Sequence, residues 1–133
     1  MASRHLAAVA RTADDYRAVY DTVLAEAGGP VVLHWLGEAF DPALAPYWTG
    51  DGLDGAERVV LDVIEAHADV VRGVKVSLLD DAAEISLRNR LPPGVRCFTG
   101  DDFHYTRLIE GGSDALLGAF AFLAPIASAA FAH

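Results

Sequence analysis

A chain of 133 residues, 53% hydrophobic and 22% charged, is one domain's worth of polypeptide able to bury a core, which excludes an intrinsically disordered segment. Its formal charge of −9 comes without any basic cluster, so nucleic acid and anionic membrane surfaces, which both need concentrated Lys and Arg, are not expected partners. The single cysteine, Cys97, cannot close an internal disulfide, and the N-terminal MASRHLAAVA lacks the long apolar core of a secretory signal, so the expected location is cytoplasmic.

The first strong pattern begins at Thr12. Thr12 and Asp15 have capping-box spacing, and Tyr16, Val19, Tyr20, Val23 and Leu24 recur along one helical face until Gly28, Gly29 and Pro30 stop it. PVVLHWLG is too short for a helix and rich in β-branched and aromatic residues, which predicts a strand buried on both faces and hence a parallel sheet. GEAFDPALAPYWTGDGL then forms a long connection of the kind that tends to be a binding loop or lid. Beyond it, Val59, Val60, Val63, Ile64 and His67 mark a second amphipathic helix.

RGVKVSLL predicts the second strand, Asp80 or Asp81 caps a short helix through Arg90, and LPPG breaks that helix before the strand VRCFTG. A brief helix after DDFHY reaches Ile109, SDALLG behind Gly111 and Gly112 is the last strand, and the alanine-rich end reads as a helix. Residues 115–132 carry no charge over a length near that of a membrane span, but their alanines, Gly118, Pro125 and the lack of a basic flank favour a buried strand and helix. Helices and strands alternate, so the fold class is α/β with four parallel strands. That fits either a small doubly wound sheet or half of a (βα)8 barrel, and no glycine-rich dinucleotide fingerprint follows the first strand.

In parallel α/β folds the carboxyl ends of the strands line the site, which points to His34, to Lys75 with Ser77, and to Thr99-Gly100-Asp101-Asp102. Lys75 is the chain's one lysine. Strand alternation sets Gly73, Lys75, Ser77 and Leu79 on one face and Val74, Val76 and Leu78 on the other. Turned into a barrel interior, an amine loses solvation, its pKa falls from ~10.4, and the neutral form can attack a ketone or aldehyde. Arginine cannot form such a Schiff base. The competing reading is a structural lysine, snorkelling or paired with Asp101 or Asp102. His34 is the candidate acid/base group, against the alternative of a hydrogen-bonded core histidine. Asp101 and Asp102 either bind substrate hydroxyls or cap the helix that follows, and Cys97 reads as core. A metal-dependent reading would use His34, Asp101, Asp102 and His104, whose spacing matches no compact metal motif.

GVK on one strand, TGDD ending the next, and GGSDALLGAFAFLAP after a short helix resemble the second half of the dihydrodipicolinate synthase and N-acetylneuraminate lyase family of class I aldolases. More closely, LHWLGEAFDPALAPYW, GVKVSLLD, LPPGVRCFTGDDFHY and SDALLGAFAFLAPIASAA are similar to the DUF993 branch over nearly the whole chain. The resemblance implies a single partial TIM-barrel domain over residues 1–133, roughly strands five to eight with their helices. It also implies a small carbonyl substrate (a keto acid or aldehyde), no cofactor, Lys75 as the Schiff-base residue, and Gly100, Asp101 and Asp102 as the substrate-side turn. His34 falls where those aldolases usually carry a tyrosine, and their first-half motif for the keto-acid carboxylate has no counterpart here. The second expectation, from a different class, is a non-catalytic chain, either a truncated product or a half-barrel that self-associates as a homo-oligomer.

Overall fold

The computed structural model describes residues 3–49 and 52–118, so the helix expected at the alanine-rich end and most of the uncharged 115–132 segment lie outside the described residues. Local signals place the helices. Ser3 caps α1 (Arg4–Val9) by accepting from the Leu6 N–H. α2 (Ala13–Ala25) opens on a complete capping box: Thr12 Oγ1 accepts from the Asp15 N–H at 3.3 Å, and the Asp15 carboxylate accepts from the Thr12 N–H at 2.9 Å. Of its expected apolar face, Tyr16, Tyr20 and Leu24 are buried, whereas Val19 and Val23 are 41% and 60% exposed. The narrow i, i+4, i+8 row faces the core, and the two valines fall on its flank.

Strands β1 (Val31–Leu36), β2 (Val71–Ser77), β3 (Arg96–Thr99) and β4 (Asp114–Ala115) form one parallel sheet in the order β1-β2-β3-β4. Every crossover therefore steps one strand in the same direction, and right-handed crossovers of that kind gather their helices on a single face. α3 (Gly52–Ala66) packs on α2, α4 (Asp81–Arg90) on α3, and α5 (Tyr105–Glu110) on α4. This is the singly wound arrangement of a (βα) barrel rather than the reversal of a doubly wound sheet, and four strands make half of the usual eight.

The register Leu33–Val74–Cys97 and Trp35–Val76–Thr99 lines the helix-covered face, where all six side chains are buried. The opposite face carries Val32, His34, Lys75 and Phe98. Val32 is 44% exposed, and the other three are half-buried. Among the described residues β1 is thus covered on one face only. The expectation of burial on both faces fails because a run of apolar residues cannot report which side its crossovers take. Alternation also ends earlier than expected: Leu79 lies beyond β2 with φ 59°, a turn that sends the chain into α4.

α3 buries Val59, Val60, Val63 and Ile64 as their spacing predicts, while His67, just past its end, sets Nε2 2.7 Å from Asp21 of α2. Asp80 caps α4 by accepting from the Ala83 N–H at 3.0 Å. The long connection after β1 is mostly exposed but is pinned to the core at a few points. Its 3-10 turn at Pro42–Leu44, capped by Asp41, returns Leu44, Tyr47 and Trp48 to the core. The Trp48 ring stacks on Tyr20 at 4.6 Å and meets Tyr47 edge-on at 5.3 Å. Trp48 also holds φ 71°, a left-handed conformation that a bulky residue keeps only where its surroundings dictate it. Among the described residues no helix is long and apolar enough to cross a membrane.

Candidate functional site

The open face brings the carboxyl ends of three strands together. Register sets His34 beside Lys75, and Lys75 beside Phe98. His34 Nε2 reaches diagonally to Ser77 Oγ at 3.0 Å. Burial, with the positive charge of Lys75 adding to it, pushes the His34 pKa down to about 4, so the ring is uncharged at neutral pH. Among the described residues Lys75 forms no ion pair, with Asp101, Asp102 or any other acid.

Two glycines make room for this arrangement. The Gly100 N–H donates to the Val76 carbonyl at 2.7 Å, drawing the turn after β3 tightly against β2. A Cβ at residue 100 would collide with Ser77 Oγ and stand 2.7 Å from Lys75 Cε. The lysine therefore leans toward the strand ends: its register partner is Phe98, yet its Cε lies against Gly100, two residues further on. At Gly73 a Cβ would stand 2.6 Å from the Phe98 ring, which crosses β2 at that point. Arg96 places its guanidinium 5.3 Å from the centre of that ring and pairs with Asp114, Nε to Oδ2 at 2.6 Å.

Asp101 is only 1% exposed. Its Oδ1 accepts from the N–H groups of Phe103 and His104 at 2.8 and 2.9 Å, and Oδ2 lies 2.7 Å from His104 Nδ1. Burial pushes this carboxyl up, but the bonds from the His104 side chain and the two N–H groups outweigh it and hold the carboxyl below its usual range. Asp101 thus builds the turn into α5, and most of its accepting capacity is already used. Asp102 is exposed beside it. His34, Asp101, Asp102 and His104 are not gathered around a common point: the first bonds to Ser77, the second to the fourth. Among the described residues no three His, Cys, Asp or Glu side chains converge as a metal site requires. Cys97 lies on the helix-covered face, where burial and the nearby Glu84 push its thiol up to about 12 and make it unreactive.

Three features escaped sequence reasoning. The pairing of Phe98 with Lys75, and the Phe98 ring over Gly73, follow only from register. The Asp101–His104 pair has a faint signal in its i, i+3 spacing. Buried Glu84 has none: it accepts from Ser113 Oγ at 2.7 Å, while Arg88 Nη1 donates to the same hydroxyl at 3.1 Å, anchoring the start of β4 from α4. Next to the site, a cavity of about 330 Å³ opens between the connections after β1 and β2, lined by Trp35, Glu38, Leu44, Tyr47, Thr49 and Leu78. Neither Lys75 nor His34 lines it.

No curated protein matches the chain. A family model described as a protein of unknown function, DUF993, matches residues 1–133, and the chain belongs to the DUF993 family.

Proposed function

We propose that this chain carries the lysine centre of a Schiff-base aldolase or lyase acting on a small keto acid or aldehyde. The observation that supports it is the placement of the chain's one lysine. Lys75 is half-buried, makes no ion pair among the described residues, and leans along the open face of a singly wound parallel sheet toward the strand ends, where such barrels keep their reacting groups. The resemblance of GVK and TGDD to the dihydrodipicolinate synthase and N-acetylneuraminate lyase family points the same way. In this reading the neutral ε-amine attacks the substrate carbonyl, water departs, and the resulting iminium draws electrons from the adjacent bond that is to break. Ser77 and the uncharged His34 offer hydrogen bonds to a substrate oxygen, the Phe98 ring over Gly73 adds apolar surface to the same face, and Gly100 makes room for Ser77 and the Lys75 side chain. Asp102 faces solvent next to the turn and is free to take a substrate hydroxyl.

Borohydride reduction in the presence of pyruvate and a panel of other small keto acids and aldehydes should fix an adduct on the peptide containing Lys75, read by mass spectrometry. Lys75→Arg should give none. Turnover that survives in Lys75→Arg would overturn the mechanism.

A second reading, self-association of the half-barrel, is supported by the uncovered sheet face. Among the described residues β1 and β4 each have one strand neighbour, so both outer edges offer N–H and C=O groups for pairing, and Val32 stands exposed on the open side. Two copies joined edge to edge supply the eight strands a closed barrel needs. Size-exclusion chromatography with light scattering should show dimers or larger species, and a monomer across a broad concentration range would defeat this reading.

A further inference from the structure

Imine chemistry needs a group that both gives and takes a proton, and His34 is poorly suited to it. Its Nε2 is engaged with Ser77, and a pKa near 4 leaves it with no proton to give at neutral pH. A second histidine, His104, lies in the turn between β3 and α5. Lys75 ends against Gly100, and the next residue, Asp101, opens the turn that presents His104. All three hydrogen bonds to the Asp101 carboxylate come from this turn. A carboxylate on Nδ1 fixes the orientation and tautomer of an imidazole and leaves Nε2 as a bare acceptor. The His104 side chain is 46% exposed, and among the described residues Nε2 has no partner. The charges around the ring are Asp101 and Asp81, which favour the imidazolium, and Arg107, which opposes it; the hydrogen bond that His104 donates to Asp101 dominates and raises the ring above its ordinary pKa.

We propose that His104 is the proton-transfer residue of the Lys75 centre and that Asp101 positions it; this rests on the imine reading above. With pyruvate as the probe, the imidazolium gives its proton to the carbinolamine hydroxyl, which leaves as water while the nitrogen lone pair forms the C=N bond of the iminium. Neutral Nε2 then takes a proton from the C3 methyl, the C–H electron pair becomes the enamine C=C bond, and the iminium nitrogen recovers its lone pair. In D2O the reverse step returns deuterium to C3.

The test follows loss of the pyruvate methyl signal by proton NMR in D2O together with borohydride trapping. The wild-type chain should trap and exchange, and Lys75→Arg should do neither. His104→Gln should reach the wild-type adduct level on long incubation yet exchange about 100-fold more slowly, or worse, as expected for loss of an acid/base group. Asp101→Asn keeps an acceptor for the two N–H groups but removes the charge that favours the imidazolium. The limb on which exchange rises with pH should therefore move to lower pH, a shift that a purely structural role for Asp101 would not produce. Unchanged exchange in His104→Gln with trapping intact overturns the assignment of His104 and leaves the imine reading standing, whereas no trapping in the wild type overturns both. Should Asp101→Asn fail to fold, His104→Gln still decides, because its side chain lies at the surface.

Discussion

Replacing Gly100 with alanine should cost only about 1–3 kcal/mol of stability, yet reduce the borohydride adduct on Lys75 by tenfold or more. The two effects separate because of what the new methyl group meets. Its nearest neighbours are Ser77 Oγ and Lys75 Cε, both on side chains that can rotate, with the Val76 carbonyl next at 3.1 Å. The fold can therefore accept the methyl by turning Ser77 and Lys75 aside. That movement breaks the 3.0 Å contact between Ser77 and His34 and swings the amine away from the strand ends. Gly73→Ala makes the contrast, since its Cβ would stand 2.8 Å from the Arg96 carbonyl, a backbone atom that cannot rotate away. Urea unfolding and trapping on the same preparation measure both quantities. A Gly100→Ala chain with wild-type adduct yield would show that the close approach of β2 and the turn after β3 does not hold Lys75 in place.

Trp48→Ala should be the most damaging single truncation in the molecule, at about 3–5 kcal/mol. Its indole is fully buried and touches Tyr16, Tyr20 and Tyr47, which join α2 to the connection after β1. Two terms reduce the loss. Among the described residues Trp48 Nε1 has no hydrogen-bond partner, so removing it relieves an unsatisfied donor, and Trp48→Gly would also relieve the left-handed backbone at φ 71°. Each is worth about 1 kcal/mol and neither offsets the cavity. Glycine should therefore be no worse than alanine here, the reverse of the usual order. A loss is large against the 5–15 kcal/mol that holds a typical domain. Urea unfolding followed by circular dichroism would show it, and a cost below about 1 kcal/mol would mean that the aromatic cluster does not fasten this connection.

Much of the fold is legible in local signals. The Thr12–Asp15 box, the Asp80 cap, LPPG and the apolar spacing in α3 each act within a few residues, so they specify their elements without reference to the rest of the chain. The site is legible in part for the same reason: period-two alternation is enough to set Lys75 and Ser77 on one face and Val74 and Val76 on the other.

What the sequence alone determined, then, is the order of the helices and strands after Thr12, though not α1 or the ends of β2 and β4, together with which residues share a strand face and that one lysine stands where a parallel fold could use it. Only the tertiary structure decided which face is covered, because that depends on every crossover stepping the same way. It also decided that Val19 and Val23 stay in solvent while Trp48 is buried. His34 meets Ser77, 43 residues away, only once β1 and β2 lock in register. From sequence Asp101 is either a substrate contact or a cap, and only the folded turn commits it to two backbone N–H groups and His104. Register and turn geometry arise from contacts between distant segments, and no short-range periodicity encodes them.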